Sequence, residues 1–223
     1  MPKPIDLKRK RWIREPFSGI SHAAGAALSV AGLVVLLVIA HGRPWHTVAF
    51  ALYGSSLVLL YSCSALYHSL HVRASVEDVF KRLDHTAIYW LIAGSYAPLC
   101  LISLRGAWGW SIFGIEIFFA VVGTCATFIW KSAPDWPRLT IYLVMGWLII
   151  IAYSPLSRSL PHGAFLWLLA GGIAYSAGSI VFATNKPKLW PGIFGAHDLW
   201  HVLVLGGSAC QFVMVLRYLA MHV

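Results

Sequence analysis

Long uninterrupted runs of apolar residues dominate the chain, and short polar or Pro/Gly-containing stretches separate them. Each run has the length of about 20 residues that an α-helix needs to cross the hydrocarbon core of a bilayer. The runs are continuous rather than alternating, which disfavours the strands of a transmembrane β-barrel. The pattern therefore predicts seven membrane-spanning helices, at about Ile20–Ala40, Thr47–Leu70, Leu83–Leu104, Trp108–Trp130, Pro137–Pro155, Gly163–Ala183 and Phe194–Leu216.

The composition agrees with this all-α membrane bundle. Of the 223 residues, 59% are hydrophobic and only 11% are charged, whereas a soluble domain carries about 25% charged residues. We expect a basic tail at residues 1–17, a seven-helix membrane domain at 18–218 and a short tail at 219–223. The basic start resembles a cytoplasmic tail leading into the first span, because no cleavage site for a signal peptide follows it.

The distribution of Lys and Arg predicts how the bundle is oriented. If the N-terminus is cytoplasmic, the inner segments hold thirteen of the seventeen Lys and Arg residues and the outer segments hold four. Short cytoplasmic loops are enriched in these residues, so the N-terminus is predicted inside and the C-terminus outside. The predicted location is the plasma membrane, which the chain crosses several times.

The net charge of +9 raises the alternative of a nucleic-acid partner. The basic residues stand at the ends of apolar segments, a placement that suits anionic lipid headgroups better. We therefore expect membrane lipids as partners and no nucleic acid. The sequence does not indicate an oligomeric state.

Several polar residues interrupt the predicted spans, where ionisable groups are costly and tend to be functional. Ser64 and His68 lie four residues apart on the second span, and His197 and His201 lie four residues apart on the seventh. Asp84 begins the third span. The orientation, which was derived from Lys and Arg alone, places all five residues at the cytoplasmic side of the membrane.

Two histidines one turn apart can present their nitrogens to one metal ion, and zinc favours a tetrahedral set of such ligands. The candidate ligands are His68, His197, His201 and Asp84, and the expected cofactor is zinc. Asp84 could bind zinc, hold a water or act as general base, and Ser64 could position that water. Paired histidines can also hydrogen-bond across helices without any metal, so this alternative stays open.

The first and fourth spans also carry polar residues. Glu15, Ser18 and His22 start the first span, where they could support the site or serve packing and capping. Glu116 lies in the fourth span, far from the cluster. It could be half of a proton path or a carboxyl group kept neutral by burial, and we favour the second interpretation.

The remaining histidines and one aspartate are not expected to bind the metal. His71 is predicted at a helix end among headgroups, and His85 points away from Asp84 towards a neighbouring helix. Asp198 could orient a ligand histidine or pair with a basic loop residue. A further set resembles loop residues at the opposite face: His41, His46, His162 and His222.

Three ordered segments resemble the signature regions of the hemolysin III family, the bacterial branch of the progestin and adipoQ receptor (PAQR) family. They are Ser64-Ala65-Leu66-Tyr67-His68, Arg82-Leu83-Asp84-His85-Thr86-Ala87-Ile88-Tyr89 and His197-Asp198-Leu199-Trp200-His201. The stretches Ile92-Ala93-Gly94-Ser95-Tyr96-Ala97-Pro98 and Trp190-Pro191-Gly192 are similar to the family as well, and the likeness runs from Glu15 to about Phe212.

This resemblance implies a seven-helix bundle with zinc held by His68, His197 and His201 and with Asp84 near the metal. It also implies kinship with alkaline ceramidases, and so hydrolysis of a lipid amide. The chain departs from the family in two places: Ser18 stands where Asn is usual, and Asp198 where Glu is common. Neither departure touches a proposed ligand.

Two classes of function follow. In the first, the protein is a zinc-dependent hydrolase of a lipid amide or ester that serves membrane-lipid homeostasis, with Asp84 and Ser64 in catalytic roles. In the second, it is not an enzyme but a receptor or sensor with structural zinc, or a pore-forming cytolysin. Few polar residues follow any one helix face, which disfavours an aqueous pore.

Overall fold

The computed structural model of the chain describes residues 12–130, 133–190 and 194–221. Seven helices within these ranges are long and apolar enough to cross a membrane, which confirms the predicted number and class of elements. We number them α1 to α7 in chain order: Pro16–Ile39, Pro44–Ser69, Ala74–Ser103, Ala107–Ile129, Asp135–Ser159, His162–Thr184 and Ala196–Ala220.

The distribution of side chains is the reverse of that in a water-soluble bundle. Large apolar side chains stand on the outer surface, with Leu28 72% exposed and Ile129 80% exposed. Meanwhile ionisable groups are buried, including Glu116 at 0% and His68 at 1% exposure. A surface of this kind is stable when hydrocarbon surrounds it, so the chain is a multi-pass membrane protein.

Helix α3 begins well before its predicted start at Leu83. The helix starts at Ala74, so Asp84 lies ten residues into it rather than at its end. The additional turns are polar, and Arg82 pairs there with Asp78 one turn earlier on the same helix face. Hydropathy detects only the apolar part of a helix, which is why this extension was missed.

Helix α5 also differs from the expected span. Pro137 was predicted at its first position, but the helix begins at Asp135, so the proline occupies the third. The first N–H groups of a helix have no partner within it, so a proline is tolerated at either position. The helix continues past Pro155 to Ser159, with a 3₁₀ segment at Leu148–Ala152 just before that proline. Pro155 has no N–H to donate to the preceding turn, and the change from α-helical to 3₁₀ hydrogen bonding occurs in that turn.

Some sequence expectations were wrong or fall outside the described ranges. His46 lies within α2 against Phe50, and His162 is the first residue of α6, so neither is a loop residue. Phe194 forms an isolated bridge with Trp190, and α7 starts at Ala196. Residues 1–11, 131–132, 191–193 and 222–223 lie outside the described part of the chain. These ranges include most of the predicted basic tail, and His222 at the end of the predicted C-terminal tail.

The core is formed where α1 packs on α2, α2 packs on α3, and α7 packs on α6 and α1. Phe50, Tyr53 and Tyr61 of α2 are among its largest fully buried side chains. The Tyr61 hydroxyl donates to Ser208 of α7 at 2.7 Å. Apolar packing and interhelical hydrogen bonds thus hold the two helices that carry the candidate histidines.

A close approach between α3 and α4 requires Gly109. A Cβ at this position would overlap the carbonyl oxygen of Cys100 and lie 2.8 Å from that of Leu104. Gly106 makes the preceding turn with a φ of 109°, in the left-handed region that favours glycine. The short hairpin between the two helices therefore depends on both glycines.

We expect Gly109→Ala to lower the thermal unfolding midpoint in detergent, because overpacking against fixed backbone costs about 1–3 kcal/mol. Gly114→Ala on the same helix is the matched control, since nothing lies within 4 Å of a Cβ there. The control should be neutral or slightly stabilising, because alanine favours helices more than glycine. Equal midpoints for the two variants would contradict the close approach.

Candidate metal centre

Three helices bring the five predicted site residues to one end of the bundle. Ser64 and His68 occupy the last two turns of α2, and His197 and His201 the first two turns of α7. Asp84 comes from α3, ten residues after the helix begins. Because α3 extends past the end of α2, its third turn reaches the depth of His68.

The three histidines form a compact group. One ligand nitrogen from each of His68, His197 and His201 lies within 4.8 Å of the other two. The Nε2 atoms of His197 and His201 are 3.1 Å apart. Ligand nitrogens of a tetrahedral zinc site are separated by about 3.3 Å when Zn–N bonds are 2.0–2.1 Å long. The three imidazoles could therefore form a metal site.

The environment of His68 fits a bound cation. Its Nε2 atom is buried and has no hydrogen-bond partner among the described residues. The nearest carboxylate oxygen, Oδ2 of Asp84, is 3.9 Å away, which is beyond hydrogen-bonding distance. A buried polar atom left without a partner costs about 1–3 kcal/mol. Coordination of a metal ion by this nitrogen would remove the energetic cost of the missing partner.

Asp84 lies beside the histidine group rather than within it. Among the described residues, the set of ligand atoms within 4.8 Å of one another contains the three imidazoles and no carboxylate. Asp84 is 6% exposed and Ser64 is 1% exposed, and the Ser64 hydroxyl is close enough to interact with the Asp84 carboxylate. The structure thus places both predicted catalytic residues next to the cluster.

Glu15 is a site residue whose role the sequence left open. Its Oε2 atom accepts a hydrogen bond from Nδ1 of His68 at 2.7 Å and lies 4.0 Å from Nε2 of His197. The hydrogen bond from His68 lowers the pKa of Glu15 below its usual value, against the opposing effect of partial burial. The Glu15 carboxylate is therefore hydrogen-bonded to His68, one of the candidate ligands.

Two more residues of α1 contact the site. Nε2 of His22 is 2.9 Å from Nδ1 of His201, and both rings are buried. The Ser18 hydroxyl donates to Oδ1 of Asp198 at 2.8 Å. The sequence contained the signal for all three residues: Glu15, Ser18 and His22 are spaced at i, i+3 and i+7, which places them on one helix face.

The other polar candidates do not join the cluster. His71 lies in the connection after α2 and is exposed, and His85 is buried with its backbone carbonyl accepting from Tyr142. Asp198 bonds to Ser18 and to the backbone N–H of Gly195, and within the described ranges no basic loop residue pairs with it, which was one of the two expectations. Glu116 is fully buried, and its carboxyl oxygens have no hydrogen-bond partner among the described residues.

A large cavity starts at the histidine cluster. It has a volume of about 510 Å³, and His201, Asp84, Ser64 and His22 line its one end. From there the cavity follows α6 towards His162 at the other end of that helix, and most of its wall is apolar. Some of the lining residues are also exposed on the outer surface of α5 and α6: Ile150, Tyr153, Leu166 and Leu169.

The fold and the site define a class: multi-pass helical membrane proteins with a histidine cluster at one end of the bundle. The sequence profile described as Haemolysin-III related matches residues 10–212. Hemolysin-3 of Bacillus cereus is 43% identical over 203 residues, which cover 90% of each chain. The chain belongs to the hemolysin III family, the bacterial branch of the PAQR family, and is a multi-pass bacterial membrane protein.

More distant relatives come from eukaryotes. The heptahelical transmembrane protein ADIPOR2 of rice is 32% identical over 195 residues, covering 78% of this chain and 82% of its own. The human monocyte to macrophage differentiation factor is 26% identical over 181 residues, covering 78% and 72%. The match to these relatives places the chain in the wider PAQR family that the sequence motifs indicated.

Metal analysis tests the cluster directly. We expect the purified wild-type chain to retain a divalent ion through dialysis and His201→Ala to lose it, because the variant removes one of three converging nitrogens. His46→Ala serves as the control, since His46 packs on Phe50 in the first turn of α2, far along that helix from His68. Equal metal content in wild type and His201→Ala would exclude the cluster as the binding site.

Proposed function

We propose that this protein is a zinc-dependent membrane hydrolase that cleaves an amide or ester bond of a membrane lipid and so serves membrane-lipid homeostasis. The observation that carries the proposal is the connection between the histidine cluster and the apolar cavity, which share His201 at one end. A reactive centre that opens into an apolar channel suits a substrate with a long hydrocarbon chain.

The residues of the cluster would hold zinc through His68, His197 and His201, a donor set typical of zinc sites that keep one position open. Bound there, zinc would supply a Lewis acid that polarises a carbonyl group and lowers the pKa of a water molecule to about 7. The buried Nε2 of His68, which lacks a partner among the described residues, supports this donor set.

Asp84 is suited to the role of general base. Its carboxylate lines the cavity beside the cluster, with Oδ2 at 3.9 Å from His68 Nε2. Hydrolysis adds water across the bond: the water oxygen joins the carbonyl carbon, and the amine or alcohol leaves with a proton. Asp84 would take a proton from the water and return it to the leaving group, and Ser64 would hold the Asp84 carboxylate in place.

The cavity would bind the acyl chain. Its wall is mostly apolar, and lining residues such as Tyr153 and Leu166 are also exposed to the surrounding hydrocarbon. A lipid chain could therefore enter sideways between α5 and α6 without crossing water. The same apolar wall argues against the pore-forming alternative, because an aqueous channel needs a polar lining.

We expect Asp84→Asn to reduce the rate of hydrolysis of ceramide-like and N-acyl lipids by about 10²–10⁴-fold, the usual contribution of a general base. Metal content should be retained, since the three imidazoles remain. Asp135→Asn is the control, because Asp135 is exposed at the start of α5 and pairs with Arg138. Full turnover in Asp84→Asn would rule out this mechanism. A metal-loaded wild type without turnover on any lipid would favour the sensor alternative.

Filling the cavity tests the path of the acyl chain. Gly172 lines the cavity and a Cβ there would make only ordinary contact with Trp147, so a larger side chain would project into the free space. We expect Gly172→Phe to slow cleavage of long-chain substrates about 10-fold or more, the effect of a lost apolar pocket, and to spare short-chain ones. Gly206→Phe is the control, since Gly206 is exposed on α7 and does not line the cavity. An equal loss for both chain lengths would contradict the path.

A further inference from the structure

The first two turns of α1 carry a row of polar residues against the site, although the rest of this helix contains no ionisable residue. Glu15 directly precedes the helix, and Ser18 and His22 follow on the same face. Ser18 and His22 are 0% and 3% exposed. Each of the three contacts a residue of the metal-site helices, and none belongs to the compact histidine group.

Glu15 holds His68 at two points. Its backbone N–H donates to the backbone carbonyl of His68 at 2.9 Å, and its carboxylate accepts from the ring Nδ1 at 2.7 Å. A carboxylate can only accept, so Nδ1 of His68 carries the proton. The neutral ring then has its lone pair on Nε2, the buried atom that has no other partner among the described residues.

His22 makes the corresponding contact with His201. Its Nε2 lies 2.9 Å from Nδ1 of His201, and its ring packs edge-on against Tyr61, which fixes its orientation. When His201 donates this hydrogen bond, its own lone pair lies on Nε2, the atom that is 3.1 Å from Nε2 of His197. In that tautomer, Nε2 of His22 accepts the hydrogen bond and His201 presents its lone pair to the cluster.

Ser18 connects α1 to the start of α7. Its hydroxyl donates to one oxygen of Asp198, and the other oxygen accepts from the N–H of Gly195, which caps the same helix. The bond fixes the first turn of α7, which carries His197, relative to α1. The two positions where this chain departs from the family motifs are therefore in direct contact with each other.

We propose that Glu15 and His22 are positioning residues for the metal site: by holding Nδ1 of His68 and Nδ1 of His201, they direct both Nε2 atoms towards the ion and raise its affinity. Ser18 supports the arrangement through Asp198. The inference rests on the proposed metal site and extends it to a helix that supplies no ligand. Partners of this kind typically change metal affinity by about 10–100-fold.

The experiment measures metal binding without turnover. The full chain, purified in detergent, is titrated with Zn²⁺ against a chromogenic chelator, and the visible spectrum of the Co²⁺-loaded form reports the ligand geometry. We expect Glu15→Ala and His22→Ala each to weaken Zn²⁺ binding about 10–100-fold and to alter the Co²⁺ spectrum. Glu15→Gln should lose less than Glu15→Ala, because its amide oxygen still accepts from Nδ1.

Two matched controls separate positioning from packing. Ser29→Ala removes a buried hydroxyl of α1 that donates to the Gly25 carbonyl one turn earlier, away from the site. Asp135→Asn removes an exposed carboxylate at the start of α5 that pairs with Arg138 rather than with Glu15 or Arg14. Both should keep the Zn²⁺ affinity of the wild type. The thermal midpoint of each metal-free variant shows whether folding has changed.

The outcomes distinguish this inference from the proposed function. If Glu15→Ala and His22→Ala bind Zn²⁺ as tightly as the wild type, and only their metal-free midpoints fall, the residues serve packing and the inference is overturned. If the wild type itself binds no Zn²⁺, the zinc hydrolase proposal fails as well. Weakened binding with an unchanged metal-free midpoint supports the positioning role.

Discussion

A polar side chain inside hydrocarbon must find its partner within the protein, because no water is available to it. This constraint orders the histidine cluster. His68 and His201 each have two ring nitrogens to satisfy, and α1 provides a partner for one of them through Glu15 and His22. The other nitrogen of each ring lies near a nitrogen of His197, and these three nitrogens are close enough to bind one metal ion. The site is thus assembled from two layers, and the outer layer belongs to a helix without a ligand.

The outer layer can exist only because α1 comes very close to its neighbours. At Gly19 a Cβ would contact the Ser69 side chain and the backbone of His68, and at Gly25 it would press on the ring of Tyr61 and a methyl group of Leu205. Small residues at such positions let helices approach in membranes, where packing and hydrogen bonds drive association. Gly19 and Gly25 therefore also set the distance between Glu15 and His68.

Much of the architecture was readable from the sequence, and the reasons are specific. Apolar run length predicts the seven helices, because span length is fixed by the bilayer. The i, i+4 spacing of His197 and His201, together with the inferred depth of His68 and Asp84, predicted a shared site, and in the structure the three imidazoles lie together with Asp84 beside them.

The remaining features depend on information that a single sequence does not contain. The polar turns before Asp84 carry no hydropathy signal, so the start of α3 was placed nine residues too late. Glu15, Ser18 and His22 shared one helix face, but which neighbours that face meets is decided by packing. The cavity depends on the space left between α5, α6 and α7, and no local pattern encodes such a space.

The position of the cluster at one end of the bundle has a consequence for the products of the proposed hydrolysis. The His197 side chain is 39% exposed and Glu15 is 42% exposed, so the centre borders the aqueous phase on one side. On the other side it borders the apolar cavity that reaches the lipid-facing surface. Cleavage at this boundary would sort its two fragments by solubility: a polar headgroup fragment would diffuse into water, and a fatty acid would return to the bilayer by the route that its parent lipid used.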